Sequence, residues 1–136
     1  MKRKLIILAA TMVAILTLTA CKGSSKIQGK WHATNPKETS AILIIKKNTL
    51  ELDGQKVKYT QNGKGFENKT KYYVLKMKKS QELFSIIFPD GKKDEAIMLK
   101  INDLDEPYNG VMVFALNKTK KPNYAEYAKK YMSPTE

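Results

Sequence analysis

Few side chains in this sequence have the chemistry for catalysis or metal binding. There is one cysteine, Cys21, and one histidine, His32. A nucleophile needs a base within hydrogen-bond reach, usually a histidine that faces it. The alternating pattern around His32 puts it on the face opposite Trp31, pointing outward, with Lys30 and Thr34 beside it. No Ser/His/Asp or Cys/His set can be assembled, so the chain reads as a non-enzyme. A lone cysteine forms no internal disulfide and has no second thiol for a metal. Asp103, Asp105 and Glu106 make the one acidic cluster. Their spacing suits a calcium loop, but Pro107 stands where a third oxygen ligand belongs and no glycine follows at the turn position. The cluster reads as a solvated loop, with a cation site as the weaker alternative, and Asp94/Glu95 reads as a turn flank. No cofactor is implied.

Cys21 has a different chemistry in prospect. Lys2, Arg3 and Lys4 form a positive start, and Leu5 to Ala20 then runs without a charge. A basic start, a short apolar run and small residues before a cut are the layout of a secretory signal peptide. The apolar run is shorter than the roughly 20 residues of a membrane-spanning helix. Leu18-Thr19-Ala20-Cys21 resembles the bacterial lipobox, in which a leucine and two small residues precede a cysteine. That resemblance implies a diacylglycerated, palmitate-bearing Cys21, cleavage just before it, and a lipoprotein on the extracytoplasmic face of the cell membrane. Two or three acyl chains hold stably where one holds only marginally.

Cleavage there leaves 116 of the 136 residues, enough for one ordinary domain that needs no disulfide. Three of the 25 basic residues lie in the leader, so 22 lysines face 13 acidic residues, a net charge of +9. Arg3 is the only arginine. Lysine is a hydrated point charge, whereas base readout recruits the flat, bidentate arginine. Nucleic acid is therefore not an expected partner. The lysines read either as a solvated coat or as an attraction to anionic head groups, teichoic acids or host polyanions.

Past Lys22–Lys26, read as a tether reaching at most about 18 Å, the pattern is of strands. Ile27 to Ala33 alternates, with Gly29, Trp31 and Ala33 on one face, and Asn35-Pro36 ends the run. Ser40–Lys46 is a second strand, and Leu50 and Leu52 face inward on a third. Asp53-Gly54 is a two-residue hairpin turn into a fourth, with Val57 and Tyr59 inward. Asn62-Gly63-Lys64-Gly65 reads as the next turn. Thr70–Lys78, Leu83–Phe88, Asp94–Ile101 and Val111–Asn117 follow, Ile97, Leu99 and Ile101 sharing one side of the seventh. About eight antiparallel strands joined by tight turns, with no helix between them, argue for an all-β up-and-down barrel. The end is helical: Asn123 as cap, Glu126 in the first turn, and Tyr124, Tyr127, Ala128 and Tyr131 on one face. So short a helix must dock on the barrel wall to be stable.

Gly29-Lys30-Trp31 on the first strand resembles the Gly-x-Trp signature of lipocalins and other calycins. The order of elements is similar to that of small calycin-like surface lipoproteins of streptococci and related Gram-positive bacteria. The resemblance implies that Trp31 plugs the closed end of an eight-stranded barrel and that a basic residue after the last strand, here Lys118, covers it. It also implies a binding function. The expected organisation is a signal peptide over 1–20, the acylated cysteine and tether over 21–26, the barrel over 27–118, and a helix and tail over 119–136. Trp31, Tyr59, Tyr73 and Phe88 are the candidates for the barrel interior and for lining a ligand. The expectation is a monomeric, membrane-anchored module for a small apolar or amphipathic ligand; the alternative is an adhesion protein touching anionic envelope polymers or host surfaces.

Overall fold

The computed structural model describes residues 22–132. The basic start, the apolar run, the Leu18–Cys21 box and the last residues of the tail lie outside the described residues. Eight strands follow in order: β1 (Gly29–Thr34), β2 (Ser40–Ile45), β3 (Thr49–Leu52), β4 (Gln55–Glu67), β5 (Thr70–Met77), β6 (Leu83–Phe88), β7 (Glu95–Ile101) and β8 (Gly110–Asn117). A helix, α1 (Tyr124–Tyr131), ends the fold. Each strand pairs antiparallel with the next, and β8 pairs with β1 through His32–Asn117, Ala33–Leu116 and Thr34–Ala115. The all-β, eight-stranded up-and-down barrel with a C-terminal helix is thus the observed fold, and closure leaves no free sheet edge.

Local chemistry explains most of the turns. Asp53 and Gly54 both have positive φ, 48° and 88°, the twist that a two-residue hairpin requires. The expected turn at Asn62–Gly65 is corrected: these residues lie inside the long β4. Asn62-Gly63 is a bulge, where the pairing with β5 slips between Gln61 and Gly63. Gly65 is needed because the Tyr72 ring lies against it, and a Cβ there would overlap that ring. The true turn is Asn68-Lys69, both at positive φ, 51° and 65°, between the paired Glu67 and Thr70.

Two apolar layers hold the barrel. The interior gathers Trp31, Leu43, Tyr59, Leu75, Ile86 and Met98 among others. A second cluster lies outside the wall, with Val74, Ile87, Ile97, Leu99 and Ala115 beneath Tyr127. β7 is therefore buried on both faces: Ala96 and Met98 point in, while Ile97, Leu99 and Ile101 point out under the helix side.

The helix docks through its tyrosines, as its spacing led us to expect. The Asn123 side chain accepts from the Glu126 amide at 2.8 Å. Glu38, in the β1–β2 loop, takes the amides of Tyr124 and Ala125 at 3.0 and 2.9 Å, satisfying two donors that a helix start leaves open. The Tyr124 hydroxyl donates to the Met112 carbonyl at 2.5 Å and the Tyr131 hydroxyl to Glu95 at 2.6 Å. Asn117 donates to the Tyr127 hydroxyl at 3.0 Å.

Burial raises the hydroxyls of Tyr124, Tyr127 and Tyr131 above the ordinary value and pushes Tyr59 up to about 12. A group whose folded-state pKa is raised favours folding while it is protonated. That contribution is complete below the unfolded value of about 10 and is lost as pH climbs through the folded value. Stability is thus expected to fall from about pH 10 upward. Ultraviolet titration should show Tyr59, Tyr124, Tyr127 and Tyr131 ionising only above the ordinary tyrosine range, together with alkaline unfolding. Those four ionising near pH 10, with no unfolding, would contradict the packing of α1.

Candidate functional site

The barrel has two unlike ends. One end carries residues 22–28, the β2–β3, β4–β5 and β6–β7 connections, and the exit from β8. The other carries the β1–β2, β3–β4, β5–β6 and β7–β8 connections. At the first end the interior is plugged. Ile27, Trp31 and Tyr59 are fully buried, with Tyr73 and Phe88 close behind. Trp31 Nε1 donates to the Ile27 carbonyl at 2.9 Å. Its ring lies 5.7 Å from Phe88, which meets Tyr73 edge-on at 5.9 Å. Lys118 Nζ sits 5.0 Å above the Trp31 ring, the place that the calycin resemblance assigned to a basic residue. The Tyr59 hydroxyl donates to the Lys46 carbonyl.

Residues 22–28 belong to this plug and do not hang free. The Gly23 amide donates to the Lys47 carbonyl at 2.6 Å and the Ser24 amide to the Gln61 side chain at 2.7 Å. Gln28 donates back to the Gly23 carbonyl at 2.9 Å. A Cβ on Gly23 would overlap the Tyr59 hydroxyl, so only glycine fits there.

At the other end the interior is open. A cavity of about 370 Å³ enters the barrel mouth. Its walls are Leu43, Leu50 and Leu52 from β2 and β3, Val57 from β4, Met77 and Phe84 from β5 and β6, and Met98 and Phe114 from β7 and β8. Val57 marks it out. It pairs with Leu50, so it lies on the interior face, yet it is 46% exposed where Leu50 is 5% exposed. An exposed side chain on an inward face means open space in front of it. Leu52, Phe84 and Phe114 are half-buried for the same reason. Gln55, Lys58, Lys79, Ser80 and Glu82 form the rim. Glu82 pairs with Lys100 at 2.9 Å, and hydrogen bonding to Lys100 holds its carboxyl below the usual range. The rim's uncompensated charge is therefore that of Lys58 and Lys79.

Trp31, Tyr59, Tyr73 and Phe88 all lie in the interior cluster, but at the plugged end; none borders the mouth cavity. The apolar mouth residues of β6 to β8 were hidden in near-continuous apolar runs, where alternation does not show which side faces in. A short apolar β3 and the inward Val57 were the legible part of the mouth. His32 is half-buried on the outer face, between Ile42 and Asn117 in the sheet. The acidic cluster, Asp103, Asp105 and Glu106, lies in an exposed loop. Asp103 accepts the Asp105 amide at 2.9 Å, and Glu106 accepts from the Asn109 side chain at 3.3 Å, so both carboxylates serve their own loop. Among the described residues no three such groups converge to hold a metal.

An apolar interior with a cationic rim can hold the tail of a small amphipath by burial and its acidic head by charge. No protein-family model, no curated protein and no solved structure matches this chain.

Proposed function

We propose that the protein is an exported lipoprotein, acylated on Cys21 and held as a monomer on the extracytoplasmic face of the cell membrane, whose calycin-like barrel binds one small apolar or amphipathic molecule at its mouth. It works by binding and not by catalysis. The observation that carries this reading is Val57, exposed on an interior face among Leu52, Phe84 and Phe114. Soluble domains seldom leave a lined apolar concavity without use, and its volume suits a small ligand. Methionines 77 and 98 add soft, adaptable walls.

The test is titration with a fatty-acid-like fluorophore that brightens in apolar surroundings. One site is expected, weakened at least about tenfold by Val57→Glu, since a carboxylate would be left unpaired against the tail. Because Val57 is nearly half exposed, the melting temperature should hardly move. Equal binding by the wild type and by Val57→Glu would place the fluorophore elsewhere and remove the mouth as the site.

A further inference from the structure

The plugged end carries a charge pattern that the mouth lacks. A cavity of about 370 Å³ beside residues 25–26 is bordered by Lys26, Lys71, Lys92, Lys93 and Lys118, with Asp94 its one acid. Tyr73 and Phe88 form its inner wall. On the other side of the pinned segment, a second cavity adds Lys22, Lys47 and Lys64 with no acid at all. Among the described residues none of these lysines is in a salt bridge, and the ion pair that is formed, Glu82–Lys100, lies at the mouth. Glu67, Asp90 and Asp94 are the acids of the same end's turns, and the lysines outnumber them, so the face keeps a net positive charge that an external anion can neutralise.

An exposed aromatic belongs to the same end. Phe66 is 64% exposed beside the Asn68-Lys69 turn, and Lys71 Nζ lies 5.9 Å from its ring centroid. The Gly91 amide bonds the Lys69 carbonyl at 2.8 Å, which ties this hairpin tip to the turn that carries Lys92 and Lys93. Aromatic side chains flanked by lysines are the residues that settle at a membrane–water interface. The chain also reaches Lys22 at this end, next to Cys21.

We propose that the plugged end is a docking face for anionic bilayers, with lipid phosphodiesters seated among Lys26, Lys71, Lys92, Lys93 and Lys118 and the Phe66 ring in the head-group layer. The barrel then stands with its mouth turned away from the membrane. This rests on the lipoprotein reading only for what brings the face to the membrane; the contact itself needs no acyl chain. Ligand would enter the mouth from the envelope side and not from the bilayer.

The contact can be measured without the anchor. The barrel, both apolar clusters and the docked helix all lie within residues 22–132, so the chain from Lys22 onward is a complete folding unit. Its partition onto vesicles of phosphatidylglycerol and phosphatidylcholine should exceed that onto phosphatidylcholine alone and should fade at high salt. A lysine near such a surface contributes about fivefold, so Lys71→Gln with Lys92→Gln and Lys93→Gln should weaken partition on the order of 100-fold. Phe66→Ala should weaken it on the order of tenfold. The same charge removed at the mouth, by Lys56→Gln, Lys78→Gln and Lys79→Gln, should change it less than about threefold. Equal losses in the two triple variants would mean that net charge alone drives binding and would overturn the proposal. So would full competition by free glycerol phosphate at matched phosphate concentration, which would indicate a soluble-anion site. Orientation gives a check that leaves every lysine in place. Without Cys21 the chain has no cysteine, so a dye on Ser25→Cys should be quenched by head-group-labelled lipid, and one on Gln55→Cys should not. The reverse order would overturn the docking face. Failure of acylation at Cys21 leaves all these outcomes unchanged and so is distinguishable from failure of the face.

Discussion

Replacing Trp31 by alanine is expected to destabilise the barrel by roughly 3–5 kcal/mol, the range for a large buried aromatic. Trp31 is fully buried, and three separate interactions end with it. Its ring packs on Phe88 at 5.7 Å, so truncation opens a void that the closed barrel wall cannot collapse to fill. Its indole N–H satisfies the Ile27 carbonyl at 2.9 Å, and Ile27 is itself fully buried, so that acceptor loses its partner. The Lys118 ammonium loses the ring face beneath it. Trp31→Phe keeps a ring for Phe88 and Lys118 and loses the indole donor, so it should fall between the wild type and alanine. Urea melts of the chain from Lys22, followed by circular dichroism, would measure both. An alanine loss below about 1 kcal/mol would mean that Trp31 does not plug the barrel. Wild-type emission offers a second check, because Trp31 is the only tryptophan and a buried indole should emit at short wavelength until the barrel opens.

What could be read along the chain was whatever is decided locally. The alternation around Trp31 shows an interior face because its neighbours Lys30 and His32 are polar. Asp53-Gly54 shows a hairpin because few residue pairs accept two positive φ values. Asn123 and Glu126 show a helix start through one capping bond. The errors arose where a local signal had two outcomes. Asn62-Gly63 has the composition of a turn, yet here the glycine absorbs a bulge, and the chain turns at Asn68-Lys69, where lysine is a poor predictor of positive φ. β6 and β7 are apolar on both sides because α1 covers the outer wall, and that cover is a tertiary fact. The mouth was least legible of all. Val57, Phe84 and Phe114 line it only because the strands that carry them close on one another, and an apolar residue facing an empty interior has the same pattern as one facing a packed core. The basic end is likewise a product of topology, since Lys26, Lys71, Lys93 and Lys118 come from four distant stretches of chain.

Replacing Cys21 by alanine should remove palmitate labelling altogether and leave a precursor that keeps its first 20 residues. The expectation comes from the chemistry of the Leu18–Cys21 box: the acyl acceptor is the thiol, and alanine has none. The fold makes the consequence sharper than a loss of retention. Residues 22–28 are pinned to the plugged end by the Gly23–Lys47 and Ser24–Gln61 bonds, so an acyl group on Cys21 is separated from the barrel by Lys22 alone. The anchored domain then has almost no slack, less than the roughly 18 Å that a free five-residue tether would allow. On the lipoprotein reading proposed above, a barrel held this close would work at the membrane face, and in a cell with a thick wall it would lie beneath that wall. Protease and antibodies should therefore reach it in protoplasts and scarcely at all in intact walled cells. Normal maturation and acylation of Cys21→Ala would show that the anchor lies elsewhere. Strong labelling of intact cells, with no shedding of the protein, would favour the adhesion role over a binding module at the membrane.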